Sequence, residues 1–215
     1  MEVSEAVKNR HSVRVFKDEA VPLNTITEII DKARQTPSWV DSQPWKVYLA
    51  TGATLKKIRQ VHLANSQNGE ADSDWPTWHR EEWAPYPRRH MALHTENRAA
   101  FIGNQAADAW AEMQHELYHA PAILYLTIPK ESPNWSMFDL GAFAQTIMLL
   151  AQEAGLDSME AYEFVRFPES IRKIMDIGED EAVAIGIGLG KAAEHKFNDY
   201  QAVREDLDQI LKIKE

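Results

Sequence analysis

The stretch Ala122-Ile123-Leu124-Tyr125-Leu126-Thr127-Ile128 constrains the fold more than any other part of the chain. It has the length of a strand and carries no charge. Its apolar residues are consecutive, not alternating with polar ones, so a strand built from it buries both faces. Such a strand needs a layer of structure on each side of its sheet. A second run, Ala182 to Ile187, has the same character and ends in Gly188-Leu189-Gly190-Lys191. A third, Lys46-Val47-Tyr48-Leu49-Ala50-Thr51, is β-branched and aromatic and stops at Gly52.

Helices supply the covering layers. The most regular carries Leu140, Phe143, Ile147, Leu150, Ala151 and Ala154 on a wide apolar face and closes at Gly155, which suits the C′ position. Ile26, Ile29, Ile30 and Ala33 predict another, with Thr25 and Glu28 at capping-box spacing and Pro37 beyond its end. Residues 2–9 and 54–62 have helical spacing, and a further helix is predicted over 98–118. Pro168 opens one more, with Ile171, Ile174 and Met175 on its buried side. Leu207, Ile210 and Leu211 give the tail a last amphipathic turn or two. Few strands and many helices in 215 residues make this an α+β chain, one domain with an insertion.

The insertion is residues 65–90, where Trp75, Trp78, Trp83 and Tyr86 lie among Pro76, Pro85, Pro87 and many charges. The prolines argue against a continuous helix there. A segment of this length packs its tryptophans on its own domain or on a partner, or it forms a lid over a ligand site.

Composition removes several functions. Asp and Glu number 33 against 23 Lys and Arg, a net charge of −10, which repels nucleic-acid backbones and anionic lipid. A local basic pocket for one small anion remains open. The chain has no cysteine, so disulfides, thiolate metal sites and cysteine nucleophiles are excluded together. No apolar run approaches the roughly 18 residues of a membrane span, and MEVSEAVKNR has no apolar signal core. A soluble, cytoplasmic protein with no nucleic-acid or membrane partner is expected.

Two short motifs are weighed and set aside. His115-Glu116-Leu117-Tyr118-His119 satisfies H-E-x-x-H, which on a continuous helix would place two imidazoles and a general base at zinc. Ala120-Pro121 and a buried strand follow at once, and His90 and His94 share the same spacing, so surface histidines near a helix end are the expectation. A zinc hydrolase is the minor alternative. Gly186-Ile187-Gly188-Leu189-Gly190-Lys191 fits neither phosphate-loop pattern, and its glycines are expected to permit close backbone packing.

Two clusters point to chemistry. Arg10-His11-Ser12-Val13-Arg14 concentrates guanidinium and hydroxyl donors, and an extended backbone would put Arg10, Ser12 and Arg14 on one side, ready for an anion. Pro37-Ser38-Trp39-Val40-Asp41-Ser42-Gln43-Pro44-Trp45 sets amide, hydroxyl and carboxylate groups beside indoles in a proline-stiffened loop. A flat heteroaromatic ligand with polar edges suits that combination.

Arg10 through Phe16 resembles the R-R/H-S-x-R-x-F opening of the nitroreductase family, and Pro37 through Trp45 resembles its P-S-x-x-N-x-Q-P-W loop. Asp139-Leu140-Gly141 with Gln145, Ala154-Gly155-Leu156, the strand at 182–188 and Val203-Arg204 follow in the family's order, so the resemblance covers nearly the whole chain. It implies a central, mainly antiparallel sheet flanked by helices, in an intertwined homodimer with two FMN at the interface. It implies that Arg10, His11, Ser12 and Arg14 hold FMN and that Arg204 completes its phosphate site. Pro37, Ser38, Trp39, Asp41 and Gln43 would reach the flavin held mainly by the other subunit. Gln145 would meet the pyrimidine edge, and Tyr162 and Glu163 would line the N5 side. Asp41 stands where the family has Asn, Met159-Glu160-Ala161 lacks its usual small-residue and Cys pattern, and Ala202 replaces a basic residue. The implied activity passes hydride from NAD(P)H through FMN to a nitroaromatic, quinone or similar small acceptor by ping-pong alternation, with no side chain as obligatory acid or base. An FMN carrier or sensor without turnover is the alternative. The tryptophan-rich segment is the candidate wall of the acceptor pocket.

Overall fold

In the computed structural model, residues 1–68, 71–103 and 106–215 are described. Strand β1 (Lys46–Thr51), β2 (Ala122–Pro129), β3 (Asp157–Ala161) and β4 (Glu181–Gly190) form one sheet in the order β1-β2-β4-β3, with every pairing antiparallel. The all-apolar β2 takes an interior place, and each residue from Ala122 to Ile128 is at most 1% exposed. Its side chains divide by parity between two clusters. Ile123 and Tyr125 join Val13, Phe16, Leu55, Ile58, Phe164 and Ile171. Ala122, Leu124, Leu126 and Ile128 join Ile26, Ile29, Leu140, Phe143 and Ile147 on the other face. Each large side chain so buried contributes about 1.5–3 kcal/mol.

Helices α2 (Leu23–Ala33) and α6 (Asn134–Glu153) cover one face, and α3 (Gly52–Asn68) and α7 (Pro168–Met175) cover the other. Helix α1 (Val3–Asn9) leans on α6. Gly155, at φ +73, ends α6 as its spacing predicts. The glycines of β4 are there for close packing: a Cβ on Gly186 would sit 2.3 Å from the Phe164 Cβ, and one on Gly188 would sit 2.9 Å from both Ala120 and Phe164. The Phe164 side chain thus spans from Gly186 to Gly188. At the start of β4, Glu181 is buried and its carboxylate accepts hydrogen bonds from Lys46, Tyr48 and Thr127.

Three expectations are corrected, and one strand is added. Helix α2 starts at Leu23 with Pro22 as its cap, so Thr25 lies within the first turn and no Thr25–Glu28 box forms; the extended Pro22 already offers its carbonyl to Thr25 and Ile26. Among the described residues no continuous helix spans 65–90, but the segment is not one long loop either: α3 runs to Asn68, and α4 (Pro85–Ile102) begins inside it. Pro85 and Pro87 stand in its first turn, where N–H groups have no intrahelical acceptor to lose. The non-helical part of the insertion is therefore 71–84 among the described residues, with one short turn at Arg80–Glu82. The single helix over 98–118 is two: Gly103, at φ +91, ends α4, and α5 (Ala107–His115) follows. Residues 104 and 105 of that predicted helix lie outside the described residues. Finally, β3 has no sequence forecast; Asp and Glu interrupt it, and its pairing with β4 makes it a strand.

Two short helices, α8 (Lys196–Asp199) and α9 (Leu207–Ile210), complete the chain. Leu207, Ile210 and Leu211 face solvent. No helix among the described residues is long and apolar enough to cross a membrane.

Candidate active site

The N-terminal motif is extended and runs beside β3. Ser12 bridges Ser158 in parallel, and the Val13 N–H donates to the Ser158 carbonyl at 3.0 Å. Val13 is fully buried, so Ser12 and Arg14 turn to the opposite side. Asn198 fixes the segment by accepting from the N–H groups of Arg14 and Val15 at 2.7 and 3.0 Å. The Arg14 guanidinium donates to the Ser12 carbonyl at 2.9 Å and lies 4.8 Å over the Trp110 ring. Arg98 lies 4.8 Å over the same ring. Burial, with Arg98 adding to it, holds the Arg14 pKa below its ordinary value. His11 Nδ1 sits 2.9 Å from the Asn9 carbonyl.

A cationic field surrounds His94. Burial lowers its pKa first, and Arg98, Arg14, Arg80 and Arg204 each lower it further. Arg204 is exposed, hydrogen-bonded among the described residues only to the carbonyls of Ala202 and Val203, beside a cleft of about 370 Å³ that also touches His90 and His94. Arg14 and Arg204 thus share one field in a chain of net charge −10. Arg10 acts on Glu160 instead and makes no ion pair with the described residues.

The loop before β1 is tightly wound. Val40, Asp41 and Gln43 have φ of 49°, 57° and 44°, a left-handed region that costs each about 1 kcal/mol. Compensating bonds hold it: Ser38 Oγ accepts from the Gln43 N–H, and Gln43 Nε2 donates to Asp41 Oδ1, both at 2.9 Å. The Trp39 N–H donates to the buried Asp139 carboxylate on α6 at 2.9 Å, and the Trp39 indole stacks on Trp135 at 4.8 Å. Trp45 stacks on Phe143 at 4.5 Å and belongs to the core. Pro37, Trp39 and Val40 are exposed, as are Trp135, Phe138 and Gln145 of α6. The chain therefore offers two groups of candidate residues: Arg10 to Arg14 with Arg204, and the 37–43 loop with Gln145.

The insertion is fastened at its root. Asp74 Oδ2 accepts from Arg172 Nη2 and from the Val183 N–H, both at 2.7 Å. Arg172, 2% exposed, also donates to the Glu181 carbonyl and the Glu169 carboxylate. From that anchor Trp75, Pro76, Thr77 and Trp83 stand over α6 and the first half of β4, enclosing a cleft of about 540 Å³. Glu160 and Tyr162 form its remaining polar wall, and Glu160 is its one charged lining residue among the described residues. Glu160 is open to water yet sunk in the concave wall, and that burial raises its carboxyl pKa despite the attraction of Arg10. The Tyr162 hydroxyl is 3.5 Å from Ser73 Oγ.

Glu163 points away from the cleft. Its carboxylate is buried against His62 Nε2 at 3.0 Å and Arg166 Nη1 at 3.4 Å. Burial alone would raise its pKa, but these two partners prevail and lower it. Sequence reading missed His62 because 101 residues separate the pair. The H-E-x-x-H motif is dismantled by the backbone: α5 ends at His115, and Leu117, Tyr118 and His119 all have positive φ. The two imidazoles therefore do not share a helix face, and no group of three metal-ligating residues occurs among the described residues.

A family profile described as "Nitroreductase family" matches residues 7–191. A 4-nitrobenzoate reductase from Pseudomonas putida is 27% identical over 195 residues, covering 88% of this chain and 85% of the relative. One from Nocardioides sp. (strain LMS-CY) is 26% identical over 217 residues, covering 94% and 86%. The FMN-dependent nitroreductase NfnB from Mycobacterium smegmatis, solved in complex with NADPH, superposes with a TM-score of 0.92 at 21% identity over 99% of this chain and 98% of that one. At that identity the superposition shows a shared fold.

Proposed function

The chain belongs to the nitroreductase family, and on that premise we propose that it is an FMN-dependent oxidoreductase. It passes hydride from NAD(P)H through FMN to a nitroaromatic, quinone or similar small acceptor, donor and acceptor alternating at one site. The observation that carries this reading is the gathering of Arg14, Arg98, Arg80 and Arg204 about His94, with Arg14 and Arg98 over one Trp110 ring, in an acidic chain.

The donors present suit FMN, which has a phosphate and a polar, electron-poor ring edge. The Arg10 guanidinium and the Ser12 hydroxyl have no hydrogen-bond partner among the described residues, and Arg204 bonds only its own neighbouring carbonyls. Arg10, Ser12 and Arg204 would hold the phosphate, with His11 beside them. Arg14 is immobilised by Trp110 and by the Asn198 bonds to its backbone, so it offers a fixed positive charge to the ring. Tyr162 and the Glu163 backbone would line the N5 side, while the inward bonds of the Glu163 carboxylate to His62 and Arg166 hold that turn in place. When bound, FMN supplies the two-electron chemistry.

The second group of residues belongs to a second subunit in this reading. Trp39, Val40, Trp135 and Phe138 form an exposed apolar strip of the kind that interfaces cover. A homodimer would carry Pro37, Ser38, Trp39, Asp41, Gln43 and Gln145 to the partner's flavin. Asp41 accepts from Gln43 within its own loop, as an Asn there also could, but it lacks the donor an Asn would bring. Residues 1–215 act as one domain, cytoplasmic, with the 65–90 segment as the wall of the acceptor cleft.

An anaerobic absorption spectrum of the purified protein tests the proposal. Bands near roughly 370 and 450 nm that bleach on adding NADPH or NADH are expected. Bands that persist with both nucleotides would make the protein a carrier or sensor. A colourless protein that fails to take up FMN would refute the reading.

A further inference from the structure

We infer that the cleft of about 540 Å³ under the insertion is an acceptor site that selects against anionic acceptors, with Glu160 as the selecting residue. The inference rests on the oxidoreductase reading and names the acceptor class within it. Trp75, Trp83, Leu140 and Ala144 give the cleft apolar walls suited to a flat ring. No Lys, Arg or His lies among its described lining residues, so a carboxylate or sulfonate on that ring would meet no counter-charge.

Two cations outside the lining already have partners, Arg166 in Glu163 and Arg10 in Glu160 itself. Arg166 also lies over Phe167, and the phosphate is the proposed ligand of Arg10. Burial already holds the Glu160 carboxyl above its ordinary range. A ligand carboxylate entering the same surroundings meets that penalty and repulsion from Glu160 as well. A neutral ring meets neither, and a cationic one gains from Glu160. The chain should therefore differ from the relatives named 4-nitrobenzoate reductases in the charge of the acceptor it takes.

The test uses the FMN-loaded protein and three acceptors of one shape class: 4-nitrobenzoate, nitrobenzene and 4-nitrobenzyltrimethylammonium. Two readouts are taken, kcat/KM with NADPH and the dissociation constant from tryptophan quenching in its absence. Both should rank 4-nitrobenzoate last by about tenfold or more. Glu160→Gln should narrow that gap to about twofold, and Glu160→Lys should bring 4-nitrobenzoate level or ahead. Wild-type protein that takes 4-nitrobenzoate as well as nitrobenzene would overturn the inference. So would a gap that both variants leave unchanged, or the absence of saturable quenching by every acceptor. Charge-ranked binding without NADPH consumption would instead count against the oxidoreductase reading alone and uphold the selectivity.

Discussion

Replacing Asp74 by alanine should cost this protein more stability than its place in an irregular surface segment suggests. The carboxylate accepts two hydrogen bonds at 2.7 Å, from the Arg172 guanidinium and from the Val183 N–H. The two side chains are 10% and 2% exposed, so water screens the pair little. Removing one partner of a buried pair costs about 3–5 kcal/mol. Arg172 keeps the Glu169 carboxylate and the Glu181 carbonyl, which places the loss near the lower end, at about 3 kcal/mol. With an m-value of about 2–3 kcal/mol per molar urea, the unfolding midpoint should fall by roughly 1–1.5 M at unchanged slope. Arg172→Met alone should be costly because it strands Asp74, while the double variant should recover part of the loss. The resulting coupling should be about 2 kcal/mol. A loss below about 1 kcal/mol for Asp74→Ala, or strict additivity in the cycle, would refute the anchoring argument.

Two further outcomes follow from the packing and from the buried acid of β4. Gly186→Ala would drive a Cβ to 2.3 Å from Phe164, so a loss of about 2 kcal/mol and a thermal midpoint lower by roughly 4–8 °C are expected; an unchanged melt would show that Phe164 moves freely. Burial alone would raise the Glu181 pKa, but Lys46, Thr127 and Tyr48 hydrogen-bond the ionised form and hold it below its ordinary value. A folded pKa below the unfolded one gives stability that is present above the unfolded value and lost as pH falls through the folded one. Wild type should therefore exceed Glu181→Gln in thermal stability at pH 7, with the margin shrinking below about pH 4; a margin that stays constant across that range would contradict it.

What the sequence reveals depends on how locally each feature is encoded. The run Ala122–Ile128 states its burial on both faces residue by residue, and α6 announces its buried face and its end, though not its start at Asn134, through apolar spacing and Gly155. The Arg10–Arg14 motif is legible because its donors are adjacent, and the buried Val13 fixes their side. Strand β3 is hidden because Asp157 and Glu160 break any pattern, and only the edge of β4 gives it a role. The start of α4 is hidden because Pro85 and Pro87 disfavour helix everywhere except in a first turn. The cleft is less legible still. Its anchor joins Arg172 to Asp74 across 98 positions, and Glu160, the one acid among its described lining residues, looks in the sequence like any other surface glutamate.

The shortness of β3 has a consequence for anyone who would trim the insertion to widen the cleft. Its pairing ends at Ala161 opposite Gly186, so the first half of β4 has no strand beside it on that side. Asp74 caps the Val183 N–H there, and the tryptophans stand over Ala184 and Ile185. Without them, an apolar, hydrogen-bond-hungry strand margin would be laid open, and such margins recruit strands from neighbouring molecules. On this reasoning the segment would guard solubility as well as wall the cleft. A trimmed variant will need a lysine or a proline along Val183–Ile185 if it is to stay dispersed at high concentration.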